Sequence, residues 1–148
     1  MRISAKGRYA LAALMEISRR SCAGEIVSVV SIAEHLGVSK IFLEQAVSLL
    51  KKSGVIRSTK GSKGGYQLVR EPEDITVLEA LSNIENTLLE KNDHDVLKKA
   101  PITDTAIHSA LFDKLDKAVE DCLSGITIRD LIDCADRQND VQSFMLNI

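Results

Sequence analysis

The chain has 148 residues, of which 45% are hydrophobic and only 3% are aromatic. This length suffices for one substantial hydrophobic core, or for a small domain with an attached helical arm. No apolar run approaches the length of a membrane span, and no signal-peptide cleavage pattern is present. We therefore expect a soluble cytoplasmic protein with an aliphatic core and no membrane contact.

Charge is divided unevenly along the chain, although the formal net charge is only −2. Residues 1–72 contain 12 Lys and Arg against 5 Asp and Glu, whereas residues 73–148 contain 7 against 16. A basic first half predicts a polyanionic partner for that half alone. We therefore divide the chain near Pro72 into a basic region over 1–72 and an acidic region over 73–148.

The first predicted element is an amphipathic helix that follows a basic opening segment. The opening carries Arg2, Lys6 and Arg8. The apolar face of the helix is expected to pack beneath the next two helices, which would leave the cations near the same surface. A loop over 21–27 follows. The residues of the apolar face are Tyr9, Ala10, Ala13, Leu14 and Ile17.

Two further helices are predicted between the loop and Gly54. Ser28 and Ser31 are alternative N-caps of the first helix, and Gly37 supplies the backbone freedom of a tight turn. Ser39 is the expected N-cap of the second helix, over 39–50. A helix, a glycine turn and a second helix with an exposed polar face are typical of a DNA-reading helix-turn-helix. The residues expected to hold the second helix to the core are Leu43, Ala46, Val47 and Leu50.

After Gly54 the sequence takes on the character of a β-hairpin. The runs 55–59 and 66–70 are rich in β-branched and aromatic residues, and a glycine-rich basic loop joins them. A hairpin directly after a reading helix is the wing of a winged helix. A nucleotide-binding phosphate loop is the rival interpretation, but the P-loop pattern is absent. A basic hairpin without a function is the third alternative.

The acidic half is predicted to be helical. Pro72 closes the first domain and a helix starts at 74–76, whereas 86–103 is polar and is predicted to be a mobile connection. A long amphipathic helix follows over 104–124. Such a helix buries its apolar stripe against its own domain or against a second copy of the chain. The candidate dimerisation residues are Ile107, Leu111, Leu115, Ala118 and Cys122.

The chain ends with a predicted short helix over 128–134 and an unusually apolar tail over 142–148. The tail is either a docking segment or a frayed end. The fold class is therefore mainly α, with a winged helix-turn-helix, a β-hairpin wing and a long C-terminal helix. Residues 1–72 are expected to form the winged helix-turn-helix DNA-binding domain, and residues 73–148 a helical dimerisation or regulatory region.

Contacts with DNA divide into those that specify sequence and those that position the protein. Gln45 can bond adenine through two hydrogen bonds, and Glu44 can accept one from the cytosine amino group. A structural salt bridge to a nearby lysine is the alternative role of Glu44. Ser39 and Lys40 lie where they would meet phosphate or guanine. The remaining candidate DNA contacts are Arg2, Ser4, Lys6, Arg8, Lys51, Lys52, Lys60, Gly61, Ser62 and Lys63.

Five motifs resemble those of the Rrf-type winged-helix regulators, the family that includes IscR, NsrR and CymR. They are Ser-Ala-Lys-Gly-Arg-Tyr-Ala-Leu at 4–11, Leu-Glu-Gln at 43–45, Lys-Lys-Ser-Gly at 51–54, Gly-Gly-Tyr-Gln-Leu at 64–68 and Ile-Thr-Ile-Arg-Asp-Leu at 126–131. The resemblance implies a homodimeric bacterial transcription factor, usually a repressor, that binds a palindromic operator. It also implies that the long helix forms the dimer interface.

The cysteines of this chain depart from the pattern of many members of that family. Those members hold an iron–sulfur cluster on three closely spaced cysteines before the long helix, whereas here Cys22, Cys122 and Cys134 are dispersed. Because a cluster needs several thiolates at one point, we expect no cofactor and no metal. The chain resembles the CymR-like subgroup more closely. His108, where some members have a ligand, is expected to be an ordinary polar residue at the top of the long helix.

The input to such a regulator is less clearly marked in the sequence. Cys22 is a candidate redox-sensing thiol, since Arg19 and Arg20 would lower its pKa while Glu25 opposes them. Cys122 is expected to be a packing cysteine. A partner protein or a small metabolite bound to the acidic half is the other hypothesis.

Two different classes of protein serve as alternatives. An enzyme built on Cys122 and His108 of one chain is excluded, because 14 residues along one helix separate them by roughly 21 Å. A dimeric adaptor that does not bind DNA is disfavoured by the basic balance of residues 1–72.

Overall fold

The computed structural model describes residues 3–22, 24–90 and 97–148, which are mainly helical and include one β-hairpin. The elements in chain order are α1 (Ala5–Ser21), α2 (Val29–Leu36), α3 (Lys40–Lys52), β1 (Ile56–Thr59), β2 (Gly65–Leu68), a 3₁₀ turn (Pro72–Asp74), α4 (Val77–Leu81), α5 (Asn86–Leu89), α6 (Pro101–Ile107), a π-helical segment (His108–Phe112), α7 (Asp113–Ser124) and α8 (Ile128–Leu146).

The packing of α1 against α3 forms the centre of the core. Ala10, Ala13, Leu14 and Ile17 of α1 are fully buried, at the spacing of one helix face. The predicted stripe of α3 is buried as well, which confirms that this helix is held by its apolar face. Burying each large aliphatic side chain contributes roughly 1.5–3 kcal/mol. The buried α3 residues are Leu43, Ala46, Val47 and Leu50.

The same core continues beyond Pro72. Ile75, Leu81 and Ile128 are fully buried and belong to the cluster that contains the residues of α1 and α3. Two backbone hydrogen bonds tie the start of α4 to the start of α8: Val77 N–H donates to Ile126 O at 2.9 Å, and Ile128 N–H donates to Ile75 O at 2.9 Å. The acidic half therefore contributes to the core that supports the basic half. The division into two functional regions stays a prediction.

The helix-turn-helix forms with one difference in its caps. Ser28, not Ser31, is the N-cap of α2, and its hydroxyl accepts from the Ser31 N–H at 3.2 Å. The alternative cap at Ser31 is therefore wrong, because α2 begins one turn earlier than that cap requires. Gly37 ends α2 with φ of 65°, a left-handed conformation that strains other residues. Ser39 occupies the N-cap position of α3 without a side-chain cap hydrogen bond.

Two reciprocal capping boxes start the helices of the acidic half. Thr76 and Glu79 cap α4, and Thr127 and Asp130 cap α8. The Thr76 N–H, and then the Arg70 guanidinium, lower the pKa of Glu79. The Thr127 N–H and hydroxyl likewise lower the pKa of Asp130. Both carboxylates therefore stay ionised at helix N-termini, where the helix dipole favours negative charge.

The predicted boundaries of three segments in the acidic half are wrong: those of the polar connection, of the long helix and of the last helix. The polar connection includes the short helix α5 and ends at Pro101, which starts α6; residues 91–96 lie outside the described part. The long helix therefore begins three residues before Asp104, since proline is favoured in the first helical turn.

The last helix, α8, continues to Leu146 instead of stopping at 134. Residues 135–146 contain no glycine or proline, so nothing in that stretch stops the helix. Among the described residues, none of the helices has the combination of length and apolarity that crossing a membrane requires.

Candidate nucleic-acid interface

The outward face of α3 carries the side chains that were predicted to read DNA. Lys40, Glu44 and Gln45 are exposed. The Lys40 ammonium lies 3.4 Å from a carboxylate oxygen of Glu44, so the salt bridge considered as the alternative role of Glu44 is present. Both side chains are about half exposed, and an exposed pair of this kind is worth little. DNA would therefore meet a pair that separates at low cost.

A buried carboxylate holds the basic start of α1 in place. Glu85, only 5% exposed, accepts hydrogen bonds from the Ser4 N–H at 2.9 Å and from the Ser4 hydroxyl at 2.6 Å. The Ser4 hydroxyl in turn accepts from the Gly7 N–H at 3.0 Å and caps the helix. The negative charge therefore sits at the positive end of the α1 dipole.

Gly7 leaves room for this close approach. A Cβ atom at position 7 would overlap the Glu85 carboxylate oxygen and the Ile3 side chain, so one of these side chains would have to shift. Lys6 and Arg8 on either side are exposed. The interaction thus fixes the backbone from which these two cations project.

The start of α1 and the reading helix share one shallow depression of about 300 Å³. Lys6 and Tyr9 line it from α1, and Phe42 and Gln45 line it from α3. The structure therefore brings Lys6, a candidate phosphate contact, beside Gln45, a candidate base reader. Arg2 lies outside the described residues.

Two exposed apolar residues on α3 were missed as candidate site residues. Ile41 is 67% exposed and Phe42 is 57% exposed, although Leu43 directly after them is fully buried. The sequence could have marked them, because they are apolar residues at positions of α3 that lie outside the stripe facing the core. That signal separates them from the core but does not by itself assign them a ligand.

The wing is anchored at its base and exposed at its tip. Ile56 pairs with Leu68 and Thr59 pairs with Gly65 in the antiparallel hairpin. Val27 adds a bridge on the other side of β2, with hydrogen bonds of 2.8 and 2.9 Å to Tyr66. This third strand-like contact was not predicted. The exposed tip contains Lys60, Gly61, Ser62 and Lys63.

Lys51 and Lys52 are exposed at the opposite end of α3 from the readers. Six residues separate Gln45 from Lys51, which corresponds to roughly 9 Å along a helix. These two lysines are therefore separate from the depression between α1 and α3. They also lie in the last turn, where cations stabilise the helix dipole.

The apolar stripe of the long helix is exposed within one chain. Leu111 is 56% exposed and Leu115 is 47% exposed, and Ile107 is exposed as well. Ala118 and Cys122 continue the stripe and are also exposed. Within the part of the chain that the structure describes, Cys122 is therefore exposed, and its expected role as a packing cysteine on the dimer stripe stays a prediction.

His108 differs from its predicted role as an ordinary polar residue. It is 4% exposed and lies in the π-helical segment. Its Nδ1 is 2.9 Å from Asp104 O, and its ring meets Phe112 edge-on at 5.2 Å between centroids. His108 is therefore a buried residue with defined partners on its own helix.

Cys22 is exposed at the rim of a cleft of about 370 Å³ between the end of α1 and the hairpin. Arg57 and Arg70 line the same cleft. Arg70 is engaged by the Glu79 carboxylate at 2.6 Å. Arg19 and Arg20 were considered near Cys22 because of their positions in the sequence. The structure shows that Arg57 and Arg70 line the same cleft as Cys22.

The comparisons with known proteins identify the family. The Rrf2 model, described as "Iron-dependent Transcriptional regulator", matches residues 3–134. The HTH-type transcriptional regulator IscR of Xenorhabdus nematophila is 31% identical over 145 residues, covering 94% of this chain and 87% of that protein. The chain therefore belongs to the Rrf2 family.

Solved structures agree with this assignment. T. potens IscR matches with a TM-score of 0.67 and 31% identity, over 91% of this chain and 88% of that one. CymR of B. subtilis, described as its global cysteine regulator, matches with a TM-score of 0.67 and 28% identity, over 90% and 97%. The winged-helix fold is confirmed. The chain is a DNA-binding transcriptional regulator and not an enzyme, since its relatives are regulators.

The family description raises the question of an iron site. Within 3–22, 24–90 and 97–148, no group of three or more His, Cys, Asp or Glu side chains is placed to hold a metal ion. Cys22 follows α1, whereas Cys122 lies in α7 and Cys134 in α8. Iron–sulfur clusters are held mainly by convergent thiolates. The described residues therefore do not fit such a cluster.

Replacement of Glu85 tests the anchor of α1. We expect Glu85→Ala to lower the free energy of unfolding by about 1–3 kcal/mol, because the Ser4 N–H and hydroxyl lose their acceptor. Urea denaturation followed by circular dichroism measures this change. The control is Glu90→Ala, which removes an exposed carboxylate nearby and should change stability by less than about 0.5 kcal/mol. Equal stability of both variants would contradict the role of Glu85.

Proposed function

We propose that this chain is a homodimeric repressor that reads a palindromic operator in the bacterial cytoplasm. The observation that carries the proposal is the depression shared by Lys6 and Gln45, which joins a cationic helix start to the polar face of α3. A helix-turn-helix places its second helix in the major groove with its N-terminal residues against the bases. The first turns of α3 supply Lys40, Glu44 and Gln45 for that purpose.

Base reading is assigned to Gln45 and Glu44. Gln45 offers both a donor and an acceptor to adenine, and Glu44 offers an acceptor to cytosine. Lys40 would leave Glu44 and turn to phosphate or guanine, because its pair with Glu44 is exposed. Ser39, whose hydroxyl makes no cap hydrogen bond, is free to donate to the backbone of DNA.

The remaining candidate contacts position the protein. Lys6 and Arg8 project from the anchored start of α1, and Lys60 and Lys63 project from the wing tip. We assign these cations to phosphates or groove edges on either side of the reading helix. Gly61 and Ser62 are neighbouring backbone-contact candidates, and Lys51 and Lys52 would touch phosphates at the far end of α3. Arg2 extends the same basic set in sequence. Ser4 receives no DNA contact in this assignment, because its N–H and its hydroxyl both donate to Glu85.

Dimerisation through residues 73–148 completes the proposal. The exposed stripe of Ile107, Leu111, Leu115, Ala118 and Cys122 is a face that a second copy would cover. Two-fold symmetry would then present two reading helices to half-sites about one helical turn, roughly 34 Å, apart. The acidic charge of this half keeps it away from DNA and leaves it for a partner protein or a small metabolite.

Gln45→Ala tests the assignment of a base reader. We expect preference at one base pair of each half-site to relax by roughly 1–3 kcal/mol, because the bidentate contact with adenine is lost. Binding to a panel of single-base operator variants measures the preference. Gln142→Ala, at an exposed position of α8, serves as the matched control. An unchanged preference across the panel would remove Gln45 from the set of readers.

Lys60→Ala tests the wing. We expect weaker binding to all sequences. The slope of the logarithm of the binding constant against the logarithm of the salt concentration should become less steep by about 0.9 for each wing that contacts a phosphate. Titrations at several salt concentrations give the slope. Lys114→Ala removes an exposed cation of α7 and should leave the slope unchanged. If the slope of Lys60→Ala equals that of the wild type, the wing does not contact phosphates.

Leu115→Asp tests the dimer. A carboxylate in the middle of the apolar stripe should yield a monomer, and operator affinity should fall by roughly 100-fold or more because the two half-sites are no longer bound together. Light scattering after size exclusion and the operator titration measure the two effects. Lys114→Asp makes a larger charge change beside the stripe. A dimer in both variants would place the interface elsewhere.

A thiol-redox input through Cys22 is the second candidate function. It is favoured by the exposure of Cys22 at the cleft that Arg57 and Arg70 also line, since a thiol must be accessible to react with an oxidant. This input would act on the DNA-binding activity and does not replace it. A dimeric adaptor without DNA binding remains disfavoured by the basic charge balance of residues 1–72.

A further inference from the structure

The first turn of α3 presents an apolar patch, formed by Ile41 and Phe42, on the face proposed to enter the major groove. Both side chains are more than half exposed. Phe42 also forms one wall of the depression that Tyr9 and Gln45 line. Isolated exposed apolar residues are ordinary on protein surfaces. Two adjacent ones on a reading helix, continuous with a depression, are a defined apolar surface within a polar one.

The neighbours of this patch indicate what covers it. Lys40 precedes Ile41, and Lys6 lies on the opposite side of the depression from Phe42. The two lysines would attract a polyanion, and the patch between them would be covered by an apolar group on the surface of that polyanion. In the major groove, the thymine 5-methyl group is the apolar group that base pairs present.

We propose that Ile41 and Phe42 specify thymine by contact with its 5-methyl group. The inference rests on the proposed function, since it requires α3 to lie in the major groove. Gln45 follows Phe42 by three residues and Ile41 by four, which places the three side chains on neighbouring positions of the helix surface. Gln45 reads adenine, while the patch reads a methyl group. Together they select a half-site with adenine and thymine at adjacent positions or in one base pair.

The methyl contact and the adenine contact are chemically separable. Replacing thymine with uracil removes the methyl group and leaves the base pair and its adenine unchanged. A loss caused by this replacement therefore reports the patch and not the hydrogen bonds of Gln45. Burial of one methyl group corresponds to roughly a fourfold change in affinity.

The experiment uses the full chain and a duplex that the wild-type protein selects from random-sequence DNA. Each thymine of the half-site is replaced in turn by deoxyuridine, and the dissociation constant is measured by fluorescence anisotropy. We expect one or two positions at which the replacement weakens wild-type binding by roughly fourfold each. In Phe42→Ala or Ile41→Ser the thymine-to-uracil ratio at such a position should fall to about one, as the methyl partner is gone.

Phe144→Ala is the matched control, because Phe144 is an exposed phenylalanine on α8 outside the reading helix. It should keep the wild-type ratio of thymine to uracil affinity even if its overall affinity changes. Thermal unfolding of the variants checks that the fold is retained. Both substitutions in the patch replace exposed side chains, so the fold should persist.

The outcomes separate this inference from the proposed function. Salt-dependent, sequence-selective binding in which no uracil replacement matters would overturn the thymine contact and leave operator recognition intact. A uracil effect that persists in both Phe42→Ala and Ile41→Ser would also overturn it, since another group would hold the methyl. Failure to select any sequence would overturn the proposed function itself, and the patch would then be a surface for a protein partner.

Discussion

The contact between α1 and α3 is the interaction on which the rest of this structure depends. Its apolar faces are fully buried, so neither helix can turn about its own axis without exposing several aliphatic side chains. The polar edge of each helix is thereby fixed relative to the other. Lys6 from α1 and Gln45 from α3 meet in one depression for this reason. The buried contact between α1 and α3 thus determines the arrangement of the side chains on the surface proposed to bind DNA.

A second constraint acts on the start of α1. Glu85 is separated from Ser4 by 81 residues along the chain, yet its carboxylate fixes both donors of that residue. The basic segment is therefore held from the acidic half. The basic and acidic halves are separate in the sequence, yet the bonds between Glu85 and Ser4 connect them in the structure. That connection is a buried hydrogen-bonded anion, which costs much more to leave unpaired than an exposed one.

The sequence allowed the helix-turn-helix, the stripe of α3 and the hairpin to be predicted, because each depends on local periodicity and turn residues. The contact of Glu85 with Ser4 could not be predicted in this way, since it joins distant residues. The burial of His108 was missed as well, and this residue lies in a π-helical segment that has no simple periodic signal in the sequence. Phe42 was overlooked for a different reason: helical spacing separates it from the core, but only the shared depression with Lys6 relates it to a site.

The shared core also bears on how regulators of this family diversify. Ile128 of α8 is buried in the cluster formed by α1 and α3, and backbone hydrogen bonds join the segments before α4 and α8. The acidic half therefore cannot be replaced without changing the core that it shares with α1 and α3. Exchanging it between relatives would also exchange part of the support of the reading helix. For this chain, substitutions on exposed faces would disturb the support of the reading helix less than replacement of the whole acidic half.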